Sequence, residues 1–374
     1  MTASISNERQ ALTDEILAYM QCVAQGEEDL KRRDALLDRA LTWQYAHVPA
    51  YRAYVDSVTP HVAEQPPNQW PALPTDVFRY TRVAAHSPTS DAKLFMTSGT
   101  THQSKGTHPL ADTALYDKAA FLAARHTLFM DHVPMRLVIL APSEQQAPHS
   151  SLAYMLARFG EWFGQGESIY VWRDNHLDMA LLCTSLKDAC QVSQPVALLG
   201  TSLAFAHALD ALGSTWSLPP TSRIMLTGGS KGTSREVSSD SFRLEVGKAF
   251  GIESPYIVSE YGMTELCSQL YDLTLQRHHN HQPVLPGTFW SPGWTRARVI
   301  DPRTGAECPD GEVGVIRIDD LANLDTVCAI QTSDLGIHTS DGLVLLGRSA
   351  DAVPRGCSLE ADSHLSPQRY AARH

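Results

Sequence analysis

Basic residues are scarce in this chain of 374 residues: 30 Lys and Arg stand against 41 Asp and Glu, for a formal net charge of −11. With no basic surplus and no basic run, the sequence offers no footprint for nucleic acid, and an anionic membrane surface is disfavoured on the same ground. Long hydrophobic runs are also missing. The longest apolar stretch, Pro195 to Gly213, is broken by Thr201, Ser202, His207 and Asp210, so it reads as strand, turn and helix and not as a membrane span. The N-terminal sequence MTASISNERQALTDEI has no basic segment followed by an apolar one, and no signal peptide is expected. The seven cysteines are odd in number and contain no CxxC pair. A disulfide scaffold is thereby excluded, and reduced thiols in a cytoplasmic setting are expected. There are no internal repeats and no low-complexity segments.

What is present is a large apolar fraction, 43%, sufficient for a sizeable core. Residues 8–47 are helical in pattern. Leu12, Ile16, Met20 and Val23 form one apolar stripe, and Leu30, Leu36, Leu37, Ala40 and Leu41 a second. The proline-rich segment 59–76 reads as an irregular connection. Strands are then expected at Leu94–Thr97, Leu137–Leu140, Ser168–Trp172, Val196–Gly200 and Ile224–Thr227. Helices are expected at Ala111–Met130 (with Asp112 as N-cap), Ser151–Phe163, Leu177–Ala189, Leu203–Leu212 and Ser234–Phe250. This alternation predicts an α/β architecture with parallel strands. From about residue 276 short β-like pieces dominate (Trp294–Ile300, Val313–Ile318, Leu343–Leu346), with turns at Asp310-Gly311 and Asp341-Gly342. The expected organisation is an N-terminal helical region (1–70), an α/β nucleotide-binding core (71–275), a smaller β-rich subdomain (276–356) and a short tail (357–374).

Five segments could carry chemistry. Residues 97–106 read Thr97-Ser98-Gly99-Thr100-Thr101-His102-Gln103-Ser104-Lys105-Gly106. Glycine lets a backbone approach phosphate closely, hydroxyls and N–H groups donate to it, and lysine supplies charge. The spacing is not that of a Walker loop, and the same composition also suits a plain turn. Thr227-Gly228-Gly229 ends an expected strand, where α/β proteins bind ligands, or is a tight strand-to-helix turn. Ser259-Glu260-Tyr261-Gly262-Met263-Thr264-Glu265 combines an aromatic ring, a hydroxyl and a carboxylate able to serve a base, a phosphate and a hard cation, or it opens a helix. Asp334, within Thr332–Gly336, is either a ribose-gripping carboxylate or an Asx-turn cap. Arg348 either contacts the nucleotide or pairs with Asp351 at the surface.

In order and spacing, these segments resemble the adenylate-forming superfamily of acyl- and aryl-CoA ligases. Leu73-Pro74 through Phe78, the 97–106 loop, His149 to Met155, Glu260 to Leu266 and Arg355-Gly356-Cys357-Ser358-Leu359 together resemble the acyl-protein synthetase family. That family includes the long-chain-fatty-acid–protein ligase of bacterial bioluminescence. The resemblance implies an α/β fold of the adenylate-forming N-terminal-domain type, without the mobile C-terminal domain. It also implies ATP and magnesium (Mg2+) as cofactors. Thr97, Ser98, Gly99, Thr100, Thr101 and Lys105 would hold the β,γ-phosphates, and Gly228 and Gly229 would border the adenine. Tyr261 and Gly262 would lie against the base, Thr264 at the α-phosphate, Glu265 on magnesium, and Asp334 and Arg348 at the ribose. A carboxylic acid, most naturally a fatty acid, would become an acyl adenylate and pass to a thiol. Cys357, a carrier protein, CoA or a partner reductase system are the acceptors in view. Two departures stand out: no lysine follows Lys248, and His102 occupies a position usually held by glycine. They leave open a CoA ligase similar to phenylacetate-CoA ligases, or a non-catalytic nucleotide-binding subunit. The remaining cysteines are expected in the core, Cys22 as a structural residue of the first helix, and the run from His278 to His281 as a polar loop.

Overall fold

The computed structural model describes residues 3–59, 62–97, 105–173, 176–228 and 239–348. Three helices open it: α1 (Ala3–Ala24), α2 (Leu30–His47) and α3 (Pro49–Val58). Asp29 caps α2, accepting from the backbone N–H of Lys31 and Arg32 at 3.0 and 3.1 Å. Val48 is extended, and Pro49 then starts α3 at a position where its missing N–H costs nothing. Leu12, Ile16, Met20, Leu36, Leu37, Ala40 and Leu41 are buried, as the two stripes predict. Leu30 departs from its stripe: it is the first residue of α2 and is 53% exposed. Periodicity defines a helical face but not where the neighbouring surface ends.

Next come β1 (Leu73–Pro74), α4 (Val77–Tyr80), β2 (Lys93–Met96) and β3 (Thr107–Leu110). β2 and β3 form a separate antiparallel pair, with Met96 opposite Thr107. The strand expected at 94–97 is therefore one arm of a hairpin, not a member of the parallel sheet. The main sheet begins with β4 (Arg136–Leu140) and β5 (Ile169–Tyr170). The run expected at 168–172 divides there, because β6 (Trp172–Arg173) turns away to pair with β7 (His176–Leu177). Strands β8 (Val196–Thr201), β9 (Arg223–Thr227) and β10 (Ile257–Tyr261) follow, each parallel to the strand before it in the order β4-β8-β9-β10. The intervening helices are α5 (Ala114–His126), α6 (Ser151–Phe163), α7 (Met179–Gln191), α8 (Ser202–Ala211) and α9 (Ser239–Phe250). The N-cap of α5 is Thr113; Asp112 instead accepts from the Ala114 N–H at 3.0 Å and pairs with Arg9 at 2.7 Å. The helix expected from Leu177 starts later because Asp178 caps it, accepting from Leu181 N–H at 2.9 Å.

Central strands are apolar on both faces because each face has a cover of helices. Leu137, Ile139, Leu199, Met225 and Val258 join the core beneath the N-terminal helices, α5 and α6. The alternating residues Val138, Leu140, Leu198, Ile224, Leu226 and Ile257 join the core beneath α7, α8 and α9. Beyond β10 the sheet turns antiparallel through β11 (Leu270–Asp272), β12 (Thr288–Trp290), β13 (Thr295–Ile300), β14 (Val313–Asp320), β15 (Ala329–Thr339) and β16 (Gly342–Arg348), with α10 (Thr274–His279) after β11. The spatial order is β13-β14-β15-β16-β12-β11-β10-β9-β8-β4-β5, with β1 beside β15. The β-rich segment thus continues the same sheet by hydrogen bonds. Among the described residues, no helix is long and apolar enough to cross a membrane.

The turn between β14 and β15 is buried and polar. Asp320 accepts from the N–H groups of Cys267, Ser268 and Ala322 and from the Ser268 hydroxyl at 2.7 Å. Gln44 of α2 donates to the carbonyls of Asn323 and Leu324 and accepts from Cys328 N–H. Arg9 of α1 grips Asp325 through Nε at 2.5 Å and Nη2 at 2.9 Å, with both side chains buried. Removing Asp325 leaves Arg9 only the part-exposed Asp112 as a charged partner. Asp325→Asn is expected to lower the unfolding free energy by about 2 kcal/mol in urea titrations. Arg39→Ala, which breaks the exposed Arg39–Glu15 pair, should cost only a few tenths.

Candidate active site

The carboxyl ends of β9 and β10 lie side by side, with Thr227 in register with Glu260. The Thr227 hydroxyl donates to the Glu260 carboxyl. Gly228 follows at φ +73°, a left-handed conformation suited to glycine, and its carbonyl accepts from the Ser202 hydroxyl of α8 at 2.9 Å. At Gly262 a Cβ would fall 2.4 Å from Glu260 Oε1, so a side chain there would displace the carboxyl that Thr227 holds.

The strand runs through Tyr261, so Ser259 to Glu265 is a strand end and turn, and the helix-opening reading of this segment does not hold. The Tyr261 hydroxyl donates to Asp334 at 2.8 Å, and Arg348 Nε donates to the other Asp334 oxygen at 3.3 Å. Asp334 and Arg348 face each other across β15 and β16. Asp334 is therefore a strand residue and not a turn cap, and Arg348 pairs with it; Asp351 lies outside the described residues. Burial, and then the Asp334 charge, push the Tyr261 hydroxyl well above its ordinary value, so it stays a donor.

Thr264 and Glu265 are buried. Burial raises the Glu265 carboxyl to about 7, against smaller lowering effects of its own backbone N–H and of Arg348 and Arg79. Both backbone carbonyls are held: His108 Nδ1 lies 2.6 Å from the Thr264 oxygen, and Asn323 Nδ2 donates to the Glu265 oxygen at 2.8 Å.

The 97–106 loop is closed at its base. Thr97 N–H donates to the Gly106 carbonyl at 2.9 Å, and Gly106 N–H donates to the Thr97 hydroxyl at 2.8 Å. Arg79 packs there as well, since a Cβ on Gly106 would meet its Cγ at 3.3 Å. Lys105 is exposed at the end of the loop. The expected phosphate residues Ser98, Gly99, Thr100 and Thr101 lie outside the described residues, as do His102, Gly229 and Cys357.

The structure thus gathers Tyr261, Asp334 and Arg348 by direct contact, and it ties Thr264 and Glu265 to the hairpin that carries Thr97 and Lys105. His108, Asn323 and Arg79 escaped the sequence reading, and Glu260 entered it only as a member of its segment. A single histidine, asparagine or arginine has no periodic or motif signal, and only a long-range contact reveals its partner. Cys267 and Cys328 are buried as expected, whereas Cys183, Cys190 and Cys308 are half-buried and not core residues. His278 packs edge-on against Tyr256. A separate concavity of about 670 Å³, bordered by Glu144, Arg158, Glu161, Tyr170 and Arg173, contains none of the motif residues.

Glu260 allows a pH test. Burial raises its carboxyl from 4.5 to about 7, with the Thr227 bond opposing. Between these values the folded state holds a proton that the unfolded state has lost, so stability falls as pH rises. The penalty is complete above 7 and absent below 4.5. Glu260→Gln cannot ionise. Its unfolding free energy is expected to exceed wild type by on the order of 3 kcal/mol at pH 8, and the margin should vanish at pH 4, as measured by denaturation at each pH.

Residues 9–365 match the family model described as LuxE, acyl-protein synthetase. No curated protein matches the sequence. Among solved structures, the fold is similar to an open conformation of 2-hydroxyisobutyryl-CoA ligase in complex with 2-HIB-AMP and CoA. The TM-score is 0.61 and the identity 14%, over 87% of this chain and 76% of that one. It is similar to an ATP-bound RpMatB-BxBclM chimera (TM-score 0.50, 19% identity, 72% of this chain and 50% of the other). It is also similar to o-succinylbenzoate CoA synthetase from Bacillus subtilis (TM-score 0.50, 18% identity, 72% and 51%). The chain spans about half the length of the last two. At these identities the likeness is one of fold.

Proposed function

Because the chain belongs to the LuxE acyl-protein synthetase family, we propose that it activates a carboxylic acid, of the fatty-acid class, with ATP and then passes the acyl group to a thiol. The observation that carries this reading is the contact among Tyr261, Asp334 and Arg348, drawn from three strands and set on the segment that holds Thr264 and Glu265. Asp334 has lone pairs left after accepting from Tyr261 and Arg348, and they suit ribose hydroxyls. The Tyr261 ring, backed edge-on by Phe289, offers a face to the base. Gly228 and Gly262 leave the backbone bare beside it.

The carboxyl of Glu265 fits a hard cation. Burial outweighs the Arg348 and Arg79 charges and holds it near neutrality, and a divalent ion would restore the carboxylate. Magnesium bound there would neutralise phosphate charge. Thr97 and the hydroxyls of Ser98, Thr100 and Thr101, with Lys105, are assigned to the β,γ-phosphates. The substrate carboxylate oxygen attacks the α-phosphorus, the bond to the bridging oxygen breaks, and pyrophosphate leaves. No protein nucleophile is needed for this half; positioning and charge complementarity supply the acceleration. In the second half a thiolate attacks the acyl carbonyl and AMP departs. Cys357 is the assigned acceptor within the chain, and free thiols elsewhere suit a cytoplasmic setting.

An ATP–pyrophosphate exchange assay over a panel of fatty and aryl acids tests the reading. Lys105→Ala and Glu265→Gln are expected to lower kcat/KM by roughly 100-fold, and Asp334→Ala to act mainly through the KM for ATP. If no acid supports exchange, the ligase reading is wrong, and ATP binding without turnover would mark a nucleotide-binding subunit. Acyl-enzyme trapping followed by peptide mapping locates the acceptor. Label on Cys357 supports the acyl-protein route, and label found solely on added CoA replaces it with a CoA ligase.

A further inference from the structure

We infer that His108 is a positioning residue that latches the outgoing strand of the nucleotide loop to the Thr264–Glu265 segment, so that the two phosphate-facing segments are held in one register. The inference rests on the adenylate-forming reading for the identity of those segments, and on geometry for the latch itself.

His108 lies on β3, two residues beyond Gly106, and is fully buried. Its Nδ1 is 2.6 Å from the Thr264 carbonyl oxygen. A carbonyl only accepts, so Nδ1 carries the proton. In the neutral ring Nε2 is then an acceptor, and the buried Thr326 hydroxyl, 3.0 Å away, is its donor. Burial lowers the ring's proton affinity to a pKa of about 4, outweighing the Thr264 carbonyl and Asp325, which is consistent with the neutral form. Phe78 packs edge-on against the ring at 6.0 Å.

The latch has a second half. Asn323, in the turn that also provides Thr326, holds the adjacent Glu265 carbonyl at 2.8 Å. Two consecutive peptide planes are thus fixed, one from the hairpin and one from the turn. These planes orient the Thr264 hydroxyl and the Glu265 carboxyl. The hairpin side of the same latch sets where Thr97 and Lys105 stand. A displacement near 1 Å between groups that clasp one polyphosphate costs about 100-fold in rate.

The test uses the full-length protein. His108→Leu removes both bonds, His108→Asn restores an N–H donor at the position of Nδ1, and Thr326→Val keeps the histidine but deletes the donor to Nε2. In pyrophosphate exchange, His108→Leu is expected to lower kcat/KM for ATP about 10- to 100-fold with the KM for the acid unchanged. His108→Asn should recover most of the loss, and Thr326→Val should show a smaller loss of the same kind with a melting midpoint near wild type. If the His108 variants melt earlier but keep wild-type kcat and KM for ATP, or if His108→Asn is as impaired as His108→Leu while remaining folded, the positioning role is overturned. Should the His108 variants not fold, Thr326→Val decides the kinetic question alone. Nitrogen-15 NMR of the wild-type ring is independent of activity. A proton on Nδ1 supports the latch, and a proton on Nε2 alone refutes it. A wild-type protein without exchange activity refutes the ligase reading instead, and the NMR result still judges the latch.

Discussion

The buried turn from Asp320 to Cys328 is the constraint on which the architecture depends. Its peptide groups and polar side chains lie out of reach of water, and they have to find partners inside the protein. The partners come from distant parts of the chain: Gln44 from α2, Arg9 from α1, Cys267 and Ser268 from the segment after β10, and His108 from the hairpin. Satisfying one short turn therefore draws the N-terminal helices, the β2–β3 hairpin and the Thr264–Glu265 segment to a common point. The site is assembled as a consequence of that polar accounting, with apolar burial supplying the bulk of the driving force.

The sheet changes character where the site lies. From β5 to β10 it is parallel and apolar on both faces; from β10 to β13 it is antiparallel. Tyr261 is the last residue of the last parallel strand, and its hydroxyl meets Asp334 on β15 at 2.8 Å although β11, β12 and β16 separate the two strands in the sheet order. A ligand at this junction would touch backbone ends from one half and side chains from the other. This follows the general placement of ligands at the carboxyl edge of α/β sheets.

Four buried carboxyls show how environment assigns their charge. Asp319 faces Arg296, Arg298 and Arg317, and despite its burial these guanidinium groups hold its pKa below the ordinary value. Asp320 is raised to about 6, because burial outweighs the N–H and hydroxyl donors around it. Glu260 and Glu265, with fewer donors, are raised further, to about 7. The charged aspartate is structural. The two near-neutral glutamates lie beside the candidate site, where a bound cation or phosphate would alter the local field most strongly.

The sequence by itself determined the elements whose partners are generic. The strands at 136–140, 196–201 and 223–227 and the helix at 151–163 were legible because any apolar cover satisfies a fully buried run, and because Ser150 caps its helix locally. The order of the motifs likewise pointed to the family and to Tyr261, Thr264, Glu265, Asp334 and Arg348. Tertiary structure alone decided the pairing. It placed β2 in a hairpin and not in the sheet, Asp334 in a strand and not in a turn, Arg348 on Asp334, and His108 on the carbonyl of Thr264. These outcomes depend on contacts between residues far apart in the chain. A hydrogen bond is short and directional, so its partner is fixed by where the fold brings two groups together, and no local periodicity encodes that meeting.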